Sequence, residues 1–339
     1  MKRKSAIRYR ERFFRRIPAP IIASAWSSGG RGEVSYISGT PRSGTTWVLE
    51  TLLKMVNARR YWEPIKEFKW RHGRECVVSS SPTLRPWLAP ELSDAKGPLP
   101  NFIKRLFANN PPYQSWRALD PKESVVSNLR RLAQTDRTLV KFTGGQQMMP
   151  WIANNIDAKG VVILRHPIAT VASQMKNTTR AGNLDRMLYT APEEVAEFLP
   201  AVRNYHGREL DRVERLAVET CVDQGVPLKV NYSSERIKFL CYEQLLQDRS
   251  LFSELASALG FNEICLLDEE EFRTPSATTD QSSNVAKGRD PRDTWRRTFS
   301  EAQIETVWRV INDFGLNFYR HDGSIDYGAF RASTKHPTF

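Results

Sequence analysis

The sequence predicts an α/β fold with a central parallel sheet flanked by helices. Short apolar runs recur at Val34 to Ser38, Thr138 to Phe142, Val161 to Leu164 and Ile237 to Cys241, each followed by a turn or a helical pattern. Apolar residues at consecutive positions are what strands buried on both faces carry. Strands that alternate with helical stretches are joined by crossovers, which lay neighbouring strands parallel. With 339 residues, 40% of them hydrophobic, the chain can bury one large core or two smaller ones.

The chain begins with a basic arm, expected over residues 1–30. Residues 1–16 hold eight Lys or Arg against one Glu, and so account for seven of the chain's twelve net positive charges. Ile7, Phe13, Phe14 and Ile17 interleave with those cations. The arm therefore reads either as a solvated leader or as a segment that lies on an anionic membrane surface or an acidic partner. The apolar stretch Ile17 to Trp26 contains Pro18 and Pro20 and falls well short of the roughly 20 apolar residues a spanning helix needs. A cytoplasmic location, with or without peripheral membrane contact, is the expectation. No helix-turn-helix, zinc-finger or RNA-recognition pattern accompanies the charge, so a nucleic-acid partner is not expected.

The first strand runs into Gly39-Thr40-Pro41-Arg42-Ser43-Gly44-Thr45-Thr46-Trp47, and a helix follows over Thr46 to Val56. A Gly-rich turn between a strand and a helix N-terminus presents backbone N–H groups to an anion. An ATP-type loop puts Lys directly after its second Gly. Here that position is Thr45, and the cation is Arg42, two residues before Gly44. Such a loop suits a terminal phosphate with a cation beside whatever bridges from it. Residues 80–121 carry eight prolines, a composition that resists regular structure and reads as a loop-rich insertion. It would either line an acceptor pocket or be a surface excursion.

The strand at Val161 to Leu164 ends in Arg165-His166-Pro167, with Ser173 eight residues after the Arg. Pro suits the first helical position, and an Arg at the end of a strand can fork onto phosphate oxygens. Phe239-Leu240-Cys241-Tyr242-Glu243-Gln244-Leu245 is a further strand-to-helix junction, and Lys287-Gly288 precede Asp293-Thr294-Trp295-Arg296-Arg297. Ser300 and Gln303 form a capping box for the last long helix, which should stop near Gly315. Cys76, Cys221, Cys241 and Cys265 are scattered without a CxxC spacing, and the five histidines form no H-E-x-x-H pattern. They read as reduced core thiols and give no reason to expect a metal.

Four of these segments, in this order, resemble the PAPS-dependent sulfotransferases. The loop is similar to the family's P-[KR]-[ST]-G-[TS]-[TS] cradle for the donor's 5'-phosphosulfate, and Arg165 to Ser173 resembles its R-[DN]-P-x-x-x-x-x-S site for the 3'-phosphate. Tyr242-Glu243 resembles its Y-E junction, and the segment from Lys287 resembles the R-K-G stretch that closes over the nucleotide. The resemblance implies a three-layer, P-loop NTPase-like domain over residues 31–323, with a tail over 324–339. It implies PAPS as co-substrate, adenosine 3',5'-bisphosphate as product and a hydroxyl-bearing acceptor: a carbohydrate, a lipid or a small-molecule alcohol. The implied donor contacts are Arg42, Ser43, Gly44, Thr45, Thr46, Trp47, Arg165, Ser173, Tyr242, Lys287 and Gly288, with Trp47 near the adenine. Two departures stand out. His166 replaces the family's Asp or Asn, which would alter the local charge near neutral pH. Ala286 replaces the Arg of R-K-G, and Lys287, Arg289 or Arg292 could supply that charge.

Sulfuryl transfer to a hydroxyl needs the acceptor proton removed and the leaving oxygen's charge neutralised. Relatives with a K-[TA]-H segment use its His as base; here the matching place is Lys141-Phe142-Thr143, which offers none. By resemblance to relatives that place a catalytic Glu about twenty residues after the loop, Glu63 takes the role, with Glu67 or a histidine as fallback and a structural ion pair as the non-catalytic alternative. Arg42 would neutralise the bridging oxygen and Lys141 assist. An NTP-dependent transferase such as a kinase is disfavoured by Thr45, and a nucleotide-binding module without activity stays open because of Thr143.

Overall fold

The computed structural model describes residues 13–65, 68, 98–111, 116–143, 146–176, 192–230, 235–276, 279, 290, 292–334 and 338–339. Five strands form its sheet: β1 Val34–Gly39, β2 Arg59–Trp62, β3 Thr138–Lys141, β4 Gly160–Leu164 and β5 Ile237–Cys241. Their order is β2-β3-β1-β4-β5, and every neighbouring pair is parallel. Alternate side chains enter two separate cores: Tyr36, Val140, Val162 and Phe239 on one face, Ile37, Leu139, Val161 and Leu240 on the other. That is the period of two along a strand, and because both faces are covered neither set is polar.

The helices that frame the site are α1 Ala19–Ser28, α2 Thr45–Met55, α3 Pro98–Phe107, α4 Val125–Gln134, α5 Pro167–Met175, α6 Arg212–Lys229, α7 Tyr242–Gln247, α8 Leu251–Ala258, α9 Glu301–Asp313 and α10 Tyr327–Ser333. The first face is covered by α1, α3, α4, α5, α6, α9 and α10, the second by α2, α7 and α8. The chain thus leaves β1 toward the second face and leaves β4 toward the first. Adjacent loops that part in opposite directions open a crevice at the carboxyl edge of the sheet, where α/β proteins bind ligands.

Several expectations change here. Packing starts well inside the segment expected as an arm, because Phe14, Ile22 and Trp26 are buried in the first core. Each fully buried large apolar side chain contributes about 2 kcal/mol, which holds α1 against the domain. The expected tail also packs: Phe330 of α10 is buried, and Thr338 bridges to Phe239. Within the proline-rich insertion, α3 is regular and buries Leu99, Phe102, Ile103 and Leu106; apolar spacing of three and four residues outweighs the prolines at its start. Cys221 and Cys241 are core thiols as expected, whereas Cys265 is exposed. Cys76 lies outside the described residues.

The unexpected strand is β2. Its Arg59-Arg60 start does not read as a buried strand, yet Arg59 lies 4.9 Å from the Trp26 ring and Arg60 pairs with Asp120 at 3.1 Å. Burial lowers the Arg59 pKa to about 10. Partners from distant segments make the two guanidinium groups tolerable at the sheet edge. Other boundaries move by a residue: α2 begins at Thr45 and ends at Met55, and β3 ends at Lys141. Helix α9 has the expected Ser300/Gln303 capping box, and the chain turns away at Gly315 with φ 63°.

Candidate functional site

The loop after β1 is shaped by two left-handed residues, Arg42 at φ 80° and Gly44 at φ 96°. Gly44 caps α2 without a side-chain hydrogen bond, and the first helical bond runs from Val48 N–H to its carbonyl at 3.1 Å. The amides ahead of Val48 have no intrahelical acceptor, so the positive end of α2 faces the loop. Side chains would fill the turn: a Cβ on Gly44 would lie 2.4 Å from the Tyr242 ring, and one on Gly39 would lie 2.5 Å from Ser43 Oγ. Ser43 Oγ is buried with no hydrogen-bond partner among the described residues. Helix-start amides ahead of Val48 beside an orphaned hydroxyl fit a phosphate-type anion.

Arg42, Ser173, Arg165 and Tyr242 converge on this turn. Arg42 Nε donates to Ser173 Oγ at 2.9 Å, and Arg165 Nη1 donates to the Arg42 carbonyl at 2.9 Å. The Arg165 guanidinium lies 4.9 Å from the centre of the Tyr242 ring. Gln174 Nε2 adds a bond to the Pro41 carbonyl at 2.9 Å, so α5 grips the loop at both its proline and its arginine. The two expected phosphate segments are therefore one structure. Ser173, read from sequence as Arg165's companion, is in contact with Arg42.

Arg165 is itself fixed from beneath. Its carbonyl accepts from Gln224 Nε2 at 2.8 Å and from the Tyr319 hydroxyl, which also donates to Gln224 Oε1. His166 caps α5, its Nδ1 accepting from Ile168 N–H at 3.3 Å. Its Nε2 meets the Arg320 carbonyl at 2.9 Å, and its own N–H donates to Glu243 Oε1 at 3.1 Å. Burial lowers the His166 pKa to about 4. The ring is neutral at pH 7, so it adds no positive charge beside Arg165 and differs in charge from an Asp but not from an Asn. Imidazole supplies the cap acceptor that an Asp or Asn would. Burial also raises the Glu243 pKa, with the Arg165 charge acting the other way.

Glu63 is the residue after β2, with φ 55° and 1% exposure. Its Oε1 accepts from Lys141 Nζ at 2.7 Å and from the Thr143 hydroxyl, and its Oε2 from the Thr143 N–H at 3.2 Å. Lys141 pairs in register with Trp62 on β2 and with Ile37 on β1. Glu63 and the phosphate loop thus both lie just past the same carboxyl edge. Gln146 Nε2, donating to Thr40 Oγ1 at 3.2 Å, ties the segment after β3 to that loop. The ion-pair alternative for Glu63 is present in the structure, and it joins Glu63 to Lys141, the other residue expected to act there.

Trp47 stands edge-on to Tyr242 and Phe252, with ring centres at 5.5 and 5.2 Å. Arg249 covers it at 5.2 Å, and its indole N–H donates to the Phe272 carbonyl at 3.2 Å. Lys287, Gly288, Ala286 and Arg289 of the third motif lie outside the described residues, as does Glu67. Arg292, the remaining candidate for the missing charge, is held by Asp290 through Nε at 2.8 Å and Nη2 at 2.5 Å. Burial acts to raise the Asp290 pKa, but hydrogen bonds from Arg292, helped by Arg165, lower it overall. The short helix Arg292–Arg297 packs against α5, the helix that carries Ser173. Sequence reasoning missed Gln174, Gln224 and Tyr319, because an isolated Gln or Tyr carries no motif.

Among the described residues, no helix is long and apolar enough to cross a membrane, and no group of His, Cys, Asp or Glu could hold a metal. The family model of the sulfotransferase domain matches residues 34–313. A search of curated proteins finds no match. Similar solved structures include the sulfotransferase domain of the Synechococcus PCC 7002 olefin synthase, 16% identical, covering 84% of this chain and 95% of that one with TM-score 0.40. Mouse sulfotransferase SULT7A1 complexed with PAP is 12% identical, covering 92% and 93%, with TM-score 0.39. The sulfotransferase domain of the curacin biosynthetic pathway is 13% identical, covering 84% and 98%, with TM-score 0.38.

Proposed function

The chain belongs to the sulfotransferase domain family, and we propose that it transfers the sulfuryl group of PAPS to an acceptor hydroxyl through the residues gathered at the carboxyl edge. The observation that carries this reading is the convergence of Arg42, Ser173 and Arg165 on a turn whose ATP-type lysine position is Thr45. The α2 amides and Ser43 Oγ would hold the 5'-phosphosulfate, and Arg165 with Ser173 the 3'-phosphate. A loop for one terminal phosphate with a second Arg at its side suits an adenosine 3',5'-bisphosphate better than a linear triphosphate.

The donor brings the activated sulfuryl group; the residues of this chain do the rest. Arg42 neutralises charge on the bridging oxygen as the S–O bond breaks, aided by the positive end of α2. Glu63 takes the proton of the attacking hydroxyl. Lys141, bonded to Glu63 Oε1, orients that carboxylate and lends positive charge to the sulfuryl oxygens. Trp47 and Tyr242 wall the nucleotide side. Calorimetry tests the reading: adenosine 3',5'-bisphosphate should bind far more tightly than 5'-AMP or Mg-ATP, and tight Mg-ATP binding without a 3'-phosphate preference would overturn it. Peripheral membrane contact through Phe13, Ile21 and the basic arm is the finer localisation we attach to this reading, because Phe13 and Ile21 are exposed and so are Arg15 and Arg16. Flotation with anionic vesicles, which should fail for a chain lacking residues 1–12, tests it.

A further inference from the structure

The turn after α9 ties together two segments that the chain otherwise keeps far apart. It spans Tyr319 to Asp326. Tyr319 and Ile325 face each other as an antiparallel bridge, Arg320 N–H donates to the Ser324 carbonyl at 2.9 Å, and Gly323 N–H closes back on the Arg320 carbonyl at 3.0 Å. His321, Asp322 and Ser324 at its tip are exposed, whereas Tyr319 and Ile325 at its base are buried.

The base of the turn lies under Arg165. Strand β4 ends at Leu164, and the first bond of α5 runs from Thr170 N–H to the His166 carbonyl. The Arg165 carbonyl falls in the gap between strand and helix, where a buried acceptor must find partners outside the regular ladders. Gln224 Nε2 supplies one at 2.8 Å and the Tyr319 hydroxyl a second at 3.4 Å, with the Thr170 hydroxyl at 3.5 Å. The Tyr319 ring also lies 4.8 Å from the His166 ring. Because His166 Nδ1 accepts from Ile168 N–H, the neutral ring carries its proton on Nε2. That proton goes to the Arg320 carbonyl, the same acceptor on which Gly323 closes the turn.

The other side of the turn lies against the short helix Arg292–Arg297. Gly323 has φ 90°, and a Cβ there would lie 3.1 Å from the Trp295 indole, which is buried. Arg296 stacks on that indole at 4.4 Å and donates to the Asp322 carbonyl at 2.5 Å. Glycine gives the turn its left-handed bend and leaves room for the indole. One turn is therefore bonded to the Arg165 carbonyl and to His166 at its base, and packed on Trp295 at its tip.

We infer that the turn Tyr319–Asp326 is a positioning element for the donor: through the Arg165 main chain, Tyr319 and Gly323 set how strongly the site prefers a nucleotide that carries a 3'-phosphate. The inference rests on the sulfotransferase reading above, which assigns that phosphate to Arg165. Calorimetry on the full chain tests it, with adenosine 3',5'-bisphosphate and 5'-AMP as probes. Tyr319→Phe keeps the ring against His166 and removes only the hydroxyl. Loss of one such hydrogen bond should lower the preference for the bisphosphate over 5'-AMP by about two- to tenfold. Gly323→Ala, at the far side of the turn, should lower the same preference. In the double variant the fall should be smaller than the product of the two, because both changes loosen one element.

A turn that serves stability alone would lower the urea midpoint while the folded variants keep the wild-type preference, and that result overturns the inference. Equal losses on both nucleotides do so too, as does a double variant that shows the full product. Should Gly323→Ala not fold, Tyr319→Phe decides by itself. A wild-type protein with no preference for the bisphosphate would instead overturn the sulfotransferase reading, and the inference with it.

Discussion

Replacing Arg165 by Lys probes the join between the two phosphate segments. The guanidinium does three things at once: it donates to the Arg42 carbonyl at 2.9 Å, lies 4.9 Å from the Tyr242 ring and offsets the buried Glu243. An Ala in its place would leave Glu243 buried beside a missing cation, a change that costs about 3–5 kcal/mol in stability, and the folded fraction would then confuse the measurement. Lys keeps the charge near Glu243 but has one nitrogen, so it cannot hold the loop carbonyl and also present a fork to phosphate oxygens. Loss of one charge-assisted bond is worth about 1.5–3 kcal/mol, or about ten- to a hundredfold in Kd.

Calorimetry with two nucleotides separates the roles. Arg165→Lys should weaken adenosine 3',5'-bisphosphate by that factor and leave 5'-AMP nearly unaffected, because only the former carries the phosphate that Arg165 is assigned. Equal losses on both ligands would mean that Arg165 acts by holding the loop through Arg42. Unchanged affinity for the bisphosphate in a folded variant would refute the assignment outright.

Other substitutions read the remaining parts. Glu63→Gln should lower turnover by about 10² to 10⁴ with nucleotide affinity nearly intact; near-normal turnover would return Glu63 to a purely structural pair with Lys141. Gly44→Ala combines φ 96° with a Cβ 2.4 Å from the Tyr242 ring, so binding of the bisphosphate should collapse, and calorimetry showing wild-type affinity would contradict the cradle geometry. His166, lowered from 6.5 to about 4 in the fold, binds fewer protons folded than unfolded between those values. Its contribution is complete above pH 6.5 and drains away as pH falls toward 4, a change of about 3 kcal/mol. His166→Asn keeps a cap acceptor and removes the titration, so urea midpoints measured at pH 5 and pH 7 should differ less than in the parent; an unchanged difference would assign the acid sensitivity to other groups.

The sheet was legible where its strands are apolar at successive positions, and the glycine loop and Arg165 segment stood out because a Gly-rich turn and an Arg-His-Pro helix start are recognisable residue orders. What escaped was set by distant partners. Arg59 and Arg60 sit in a buried edge strand because Trp26 and Asp120 reach them. The neutrality of His166 follows from burial under Tyr319 and Arg320, which no local pattern announces. Ser173 was found by spacing, but its contact with Arg42 depends on how α5 lies across the loop.

Backbone strain gives an independent reason to place the chemistry at this edge. Three non-glycine residues among those described have positive φ: Arg42, Glu63 and Asn109. Asn109 is explained locally, since Asn tolerates this region and its amide donates to the Gly32 and Asp136 carbonyls at 3.1 and 2.5 Å. Arg and Glu have no such affinity, and each costs about 1–3 kcal/mol there unless its surroundings enforce it. Those surroundings are the residues of the candidate site: Ser173 and Arg165 hold Arg42, while Lys141 and Thr143 hold Glu63. A fold selected for stability alone would relax both positions with Gly or Asn. Keeping a guanidinium and a carboxylate in strained turns on either side of β3's carboxyl end is what a reaction needing one cation and one base, fixed in advance of the substrate, requires.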